Sequence, residues 1–262
     1  MVGKTVGGRG SNQYQARGRS LEIDASPGGD LMQQAQLSAA AERKLAKDPN
    51  TDARRLQRLA GSSSIPVLRE LARNPNTPPH VLARLVVQAT SWPLASMFDS
   101  ERKRQQCQPI ISAAVANPAA SDAHLRGALL LAGDAMNTPD DAKQKFDYLD
   151  AVPWSALLRR LPPAPSGPQY ANEYQQELVR HVQGFGLGEV AHSWGSTGPD
   201  HTAAVVCTDG WYMVSSDGMP LGAGYVDLQG DVPEQMVSIM HRLDRLMGAD
   251  GSADSWIYSG RF

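Results

Sequence analysis

Five side chains in the last third of the chain are of types that bind metals or activate nucleophiles: His181, His192, His201, Cys207 and His241. A zinc site needs three or four such groups to converge, usually through short spacings such as Cys-x-x-Cys or His-x-x-x-His. None of the five is paired in that way, so no metal site is expected. Ser193-Trp194-Gly195-Ser196-Thr197-Gly198, with Asp200-His201 after it, is the place to look for a nucleophile. No Gly-x-Ser-x-Gly elbow stands there, and no strand-turn-helix pattern surrounds it. The segment reads as a glycine-rich loop between strands. Gly184-Phe185-Gly186-Leu187-Gly188 lacks the Gly-Lys-Ser/Thr of a phosphate loop. The adjacent carboxylates Asp140 and Asp141 follow Thr138-Pro139, where a helix N-terminus favours acids. No catalytic, cofactor-binding or metal-binding residues are assigned, and the chain is expected not to be an enzyme.

What remains is cationic. Arg54, Arg55, Arg58, Arg73 and Arg84 fall in one stretch with His80, and are the candidate partner-binding residues. Arg54, Arg55 and Arg58 lie within one helical turn, so two of them share a face. His80 follows Pro78-Pro79 in a first helical turn and is expected at the surface. Lys4, Arg9, Arg17 and Arg19 precede the first acid, Glu22, in a Gly/Arg-rich segment of no helical or strand period. The net charge of −2 hides a split. Residues 1–105 carry 16 Lys and Arg against 9 Asp and Glu, a net of +7. Residues 182–262 carry 3 against 10, a net of −7. Two functions follow from this pattern. One is a protein-interaction scaffold, and the other is a nucleic-acid-associated protein whose basic arm and arginine-rich helices track phosphates.

The elements that would position these cations repeat. Leu45-Ala46-Lys47-Asp48-Pro49-Asn50-Thr51 returns as Leu71-Ala72-Arg73-Asn74-Pro75-Asn76-Thr77, 26 residues later. Leu56 and Leu59 follow Asp48 at the offsets at which Leu82 and Leu85 follow Asn74. Ala114 to Ala120 is a third copy, followed by Leu125 and Ala128. Asn137-Thr138-Pro139-Asp140-Asp141, with Phe146, is a weaker fourth. Proline restricts the residue before it, so Asp48, Asn74 and Asn117 should each end a helix. Thr77 reads as an N-cap with Pro78 at the first helical position. Val81, Leu82, Leu85 and Val86 then form one apolar stripe. A period in this range, made of units that cannot bury their stripes alone, is the pattern of a helical solenoid.

The run from Val67 to Leu85 resembles one full unit of the leucine-rich repeat variant family, and the resemblance extends over about residues 41–150. It implies a right-handed stack of alternating α- and 3₁₀-like helices. Some members carry an iron–sulfur cluster on clustered cysteines. This chain has only Cys107 and Cys207, so no cluster is expected. A further departure is the gap of 43 residues from Asn74 to Asn117. Either a degenerate repeat fills it, within residues 87–110, or a loop interrupts the stack.

The expected fold class is therefore α+β overall, in four parts. Residues 1–34 form a disordered basic arm. Residues 35–161 form the helical-repeat domain, with Leu37, Ala40, Ala41, Leu45, Leu56 and Leu59 as core candidates and Val152–Leu161 closing the stack. Residues 162–187 are a proline-rich linker with a bridging helix near Asn172–Val182. Residues 188–262 form a small α+β domain that resembles no family. In it, Asp209-Gly210 and Asp217-Gly218 make hairpins of a three-stranded meander over residues 202–228. Val232–Met247 is a helix covering one sheet face, and Trp256-Ile257-Tyr258 is a last strand. Trp211 and Tyr212 alternate, so one should be core and the other surface. No apolar run approaches the ~18 residues of a membrane helix. The N-terminus lacks the apolar core of a secretory signal. Two distant cysteines favour a reducing cytoplasm. A protein partner is the first expectation and nucleic acid the alternative.

Overall fold

The computed structural model describes residues 37–91, 100–131, 161–163, 169–197, 202–246 and 256–261. The expected arm, the fourth repeat copy and all but the last residue of the closing helix Val152–Leu161 lie outside these. The described elements are α1 (Ala39–Lys47), α2 (Ala53–Leu59), α3 (Ile65–Arg73), α4 (Pro79–Ser91), α5 (Ser100–Ala116), α6 (Asp122–Leu131), α7 (Glu173–Gly184), β1 (Val190–Ser196), β2 (Thr202–Cys207), β3 (Trp211–Ser216), β4 (Met219–Tyr225), α8 (Val232–Leu246) and β5 (Trp256–Arg261). The fold is α+β, with one antiparallel sheet of order β4-β3-β2-β1-β5.

The repeated turns do more than stop helices. Asp48 and Asn74 are the C-caps of α1 and α3, and Asn117 follows α5. Each aspartate or asparagine accepts from the backbone N–H two residues on, which closes its own turn: Asn50 at 2.9 Å, Asn76 at 2.9 Å and Ala119 at 2.8 Å. The two asparagines also donate backwards. Asn74 Nδ2 reaches the carbonyls of Ala46 and Asp48 at 2.9 and 2.8 Å. Asn117 Nδ2 reaches those of Ala72 and Asn74, both at 2.8 Å. The three turns thus form a ladder in which each amide satisfies the two carbonyls that the preceding turn leaves without helical partners. Asp48 begins the described ladder, so it needs only the accepting half of this chemistry, which a carboxylate supplies. Thr51 and Thr77 donate to Leu45 O and Leu71 O at 2.7 and 2.6 Å. Thr77 is therefore no N-cap. The Pro78 carbonyl accepts the first bonds of α4 from Val81 and Leu82, and Pro79 takes the first helical position.

The direct bond from Asn117 to the Asn74 turn makes these two turns neighbours in the ladder, with no further turn between them among the described residues, which speaks against a degenerate repeat filling the gap. The extra length lies in longer helices and in the segment joining them. Helices α4 and α5 have 13 and 17 residues, against 7 and 9 in α2 and α3.

Leu37–Phe262 form one compact unit. The helical and α+β parts, expected as two domains joined by a linker, share a core. One cluster holds Leu82 and Leu85 of α4, Leu125 of α6, Val179 and Val182 of α7, and Val205, Trp211 and Met213 of the sheet. The bridging helix α7 is itself packed on β1 and β2. Its Asn172 cap receives Gln175 N–H at 2.7 Å and donates to Ser196 O at 2.7 Å, while Gln175 Nε2 donates to Ser193 Oγ at 2.8 Å. The physical reason for the merger is that both sheet faces are apolar. Ala203, Val205, Cys207, Trp211 and Met213 face the helices. Ala204, Val206, Tyr212, Val214 and Leu221 face Met236, Met240 and Leu243 of α8. Trp211 and Tyr212 do point to opposite faces, but both are buried, so neither is the expected surface aromatic.

Two more expectations change. Ser193–Ser196 belong to strand β1, not to a loop, with Trp194 opposite Ala204 and Tyr258. The stripe Val81, Leu82, Leu85, Val86 is buried, but so are Ala83, Arg84, Val87, Gln88 and Ala89. Helix α4 is central, packed on α5, α6 and β4, so it has no solvent face to keep polar. Of the six core candidates in residues 35–61, Leu56 and Leu59 are buried, whereas Leu37 is 51% exposed and Ala40 is also exposed. The meander hairpins form where expected, with φ of 85° at Gly210, 49° at Asp217 and 78° at Gly218. That left-handed pair at Asp217-Gly218 is what a two-residue hairpin turn demands.

The ladder sets a stability prediction. Asn117→Ala, which leaves Ala72 O without its donor and Asn74 O with only the Thr77 N–H, should cost about 1–3 kcal/mol in urea denaturation, through the midpoint and not the slope. Asn74→Asp should cost at least as much, because a carboxylate would face carbonyl oxygens. Asp48→Asn should change stability by less than about 0.5 kcal/mol.

Candidate functional site

The helices meet the sheet at a polar junction built around Arg84. Its side chain is 2% exposed, and Nη1 forms an ion pair with Asp209 Oδ2. Its Nε donates to Leu187 O at 2.5 Å, and the guanidinium lies 4.9 Å from the centre of the Trp211 ring. Arg84 was expected on a partner-binding surface; it is instead committed inside. The reason is position: it sits midway along a helix buried all round, and only a paired guanidinium can be buried there. Gly188 makes the fit possible, since a Cβ there would stand 2.3 Å from Arg84 Nη2 and 2.7 Å from Cys207 Sγ.

Asp209 closes the network. Besides Arg84 it accepts from Gln57 Nε2 at 2.8 Å and from Trp211 N–H at 3.2 Å. Burial alone would raise its carboxyl pKa, but Arg84 and these hydrogen bonds hold it below the ordinary 3.8. Arg84 behaves symmetrically. Burial works against its charge, but at the high pH where a guanidinium titrates Tyr225 and Cys207 are anionic and, with Asp209, hold its pKa above the ordinary value; near neutral pH Asp209 alone carries the compensating charge. Burial pushes both the Cys207 thiol and the Tyr225 phenol up to about 12, so both stay protonated and neutral. Among the described residues no three His, Cys, Asp or Glu gather as a metal cage.

Beside the junction lies an open cleft of about 570 Å³, lined by Arg54, Gln57, Arg58, Gly61, Asp209 and Tyr225. Of the cations proposed as partner-binding residues, the structure brings only Arg54 and Arg58 together here. Arg55 is turned to Asp52 at 3.4 Å on the exposed start of α2. Arg73 lines a separate groove of about 600 Å³ with Gln108, Ser112 and Asn117. His80 is half-buried rather than exposed, and burial, then Arg84, lower its pKa below 6.5. Lys4, Arg9, Arg17 and Arg19 lie outside the described residues. The sequence reading missed Asp209, Gln57, Tyr225 and Gly188. The available signal was Arg84 itself, a lone charge inside the apolar run from Val81 to Val87. Such a charge must find a buried partner, but Asp209-Gly210 reads first as a hairpin turn.

Two predictions follow from this chemistry. Arg84→Met should destabilise the protein by about 3–5 kcal/mol, because it leaves Asp209 partly buried and unpaired; adding Asp209→Asn should recover a measurable part in a double-mutant cycle. The second concerns acid. His181 is buried, and burial and then Arg180 lower its pKa to about 3, while burial lowers those of His80 and His124. The unfolded chain protonates each near 6.5, so it binds more protons than the folded state once the pH falls below that value. Stability should therefore decline from about pH 6.5 toward pH 3, with a slope from His181 approaching about 1.4 kcal/mol per pH unit. His181→Leu should flatten that slope in pH-resolved urea titrations. Asp209 acts lower still: its stabilisation is present above 3.8 and is lost only as the pH falls below that value.

No protein-family model matches this chain, and comparison with curated proteins and with solved structures found no match.

Proposed function

We propose that the chain is a non-enzymatic protein-interaction scaffold. In this reading α1–α6 are a short solenoid of the leucine-rich repeat variant kind, locked to the sheet by Arg84, and a partner docks at the Arg54–Arg58 cleft. The observation that carries the reading is this cleft, which joins exposed cations of α2 to the sheet residues Asp209 and Tyr225. Three further features support it. The asparagine ladder joins each turn of the repeat to the one before it, over steps of 26 and 43 residues, as stacked units require. The polar groups of the junction are locked into one another or held neutral, which leaves no poised acid, base or nucleophile there. The cations are dispersed: Arg84 inward, Arg55 on Asp52, Arg43 on Glu70 at 3.2 Å, and Arg73 in another groove. Tracking a phosphate backbone calls for a continuous cationic surface instead. Cys107 and Cys207 are both buried and free, and the proposal includes no iron–sulfur cluster. No helix among the described residues is long and apolar enough to cross a membrane, and a cytoplasmic setting belongs to the same proposal.

The test is photo-cross-linking in cell extract, with the full chain carrying benzoylphenylalanine in place of Arg54. A recurrent polypeptide adduct, absent when the probe replaces exposed Lys47 on α1, is the expected result. Adducts made of nucleic acid, or none above the Lys47 control, would overturn it.

A further inference from the structure

The cleft also has a charge pattern that selects among protein partners. We propose that it binds an acidic peptide segment, whose carboxylates are taken by Arg54 and Arg58; this rests on the interaction reading above. The two arginines are four residues apart on α2, so they project from one face one turn apart. Both are exposed, and no described carboxylate pairs with either, in contrast to Arg43, Arg55 and Arg84. The one acid in the lining, Asp209, already takes Arg84 and Gln57 on Oδ2 and Trp211 N–H on Oδ1. Its charge is thereby neutralised by a cation outside the lining, and the cleft is left with an excess of positive charge.

Shape points the same way. Gly61 forms part of the lining, and a Cβ there would stand 3.6 Å from the Tyr225 ring, so glycine leaves the space over that ring open. The volume of about 570 Å³ lies within the range that encloses small ligands, and suits a few side chains of an extended peptide. A phosphate backbone fits less well. It would need cations continuing past the pair, and the cleft lining supplies only Arg54 and Arg58. A short acidic peptide needs no more than the pair, and one of its backbone N–H groups can donate to the remaining lone pair of Asp209 Oδ1.

The experiment is fluorescence anisotropy of the full chain with a fluorescein-labelled peptide of alternating Asp, Glu and Gly. Its Asn/Gln isostere and a single-stranded oligonucleotide of equal charge serve as comparisons. The acidic peptide should bind saturably, at least about tenfold more tightly than the isostere, and more weakly as salt rises. Arg54→Gln with Arg58→Gln should lose about tenfold. Gly61→Leu should also lose affinity with both charges in place, while Arg73→Gln should change nothing. Circular dichroism melts establish that each variant is folded. Equal binding of peptide and isostere, or an unchanged double variant, would sink the proposal. So would an oligonucleotide bound as tightly with the same arginine dependence. If the peptide fails while the Arg54 cross-linker still captures a polypeptide, the acidic specificity falls and the scaffold reading stands; if both fail, both fall.

Discussion

A guanidinium cannot be placed between apolar layers without a carboxylate to meet it, and most of this architecture is arranged around that constraint. Arg84 projects from α4 toward the sheet, and each group it meets comes from beyond the helical repeats: Asp209 after β2, Leu187 O before β1, and the Trp211 ring on β3. The pair does not have to add net stability to be decisive. A buried ion pair roughly balances its own desolvation, whereas a mispaired one is strongly unfavourable. It therefore acts on specificity: shifting the sheet along α4 would separate Arg84 from Asp209 and from Leu187 O together. Gly188 belongs to the same constraint, because no side chain fits between the guanidinium and Cys207.

The helices obey a second, more local rule. Each turn exposes carbonyls at a helix end, and the next turn's asparagine amide covers them. This is bonding between neighbours only, so it tolerates length changes on the far side of a unit. The 43-residue spacing between Asn74 and Asn117 shows as much. Helices α4 and α5 lengthened while the turns stayed in register, because the ladder fixes the turns and not the helix ends opposite them.

These two rules explain which features could be read from the residues. The turn asparagines, the helix stops before proline, the Asp-Gly hairpins and the apolar face of α8 are local, and their chemistry is contained in a few consecutive residues. The merger of helices and sheet is not local. It depends on both sheet faces being apolar, and an alternating strand whose two faces are both apolar reads only as a buried strand, without saying what covers each face. The same limit hid the junction. Asp209 and Gln57 are 152 residues apart, and nothing near either one announces the other. Ser193–Ser196 failed for a simpler reason: serine and glycine in a central strand carry weak strand propensity, and the pairing with β2 and β5 overrides it.

The junction also decides what surface is left for binding. With the sheet seated against α4, that side of the helices is covered by the chain's own core, and the proposed partner would have to meet the protein at the edge of the contact. The open cleft there inherits its electrostatics from the interior. Arg84 neutralises Asp209, so that Arg54 and Arg58 in the same lining stay uncompensated. Two exposed arginines supply about 1 kcal/mol each at most, which is too little for stable association by themselves. A partner held here must gain the rest from apolar contact with the Tyr225 side of the cleft and from ordering few new groups of its own. In the proposed complex the charge pair would govern which segment enters and in which register, while the floor of the cleft would govern how long it stays.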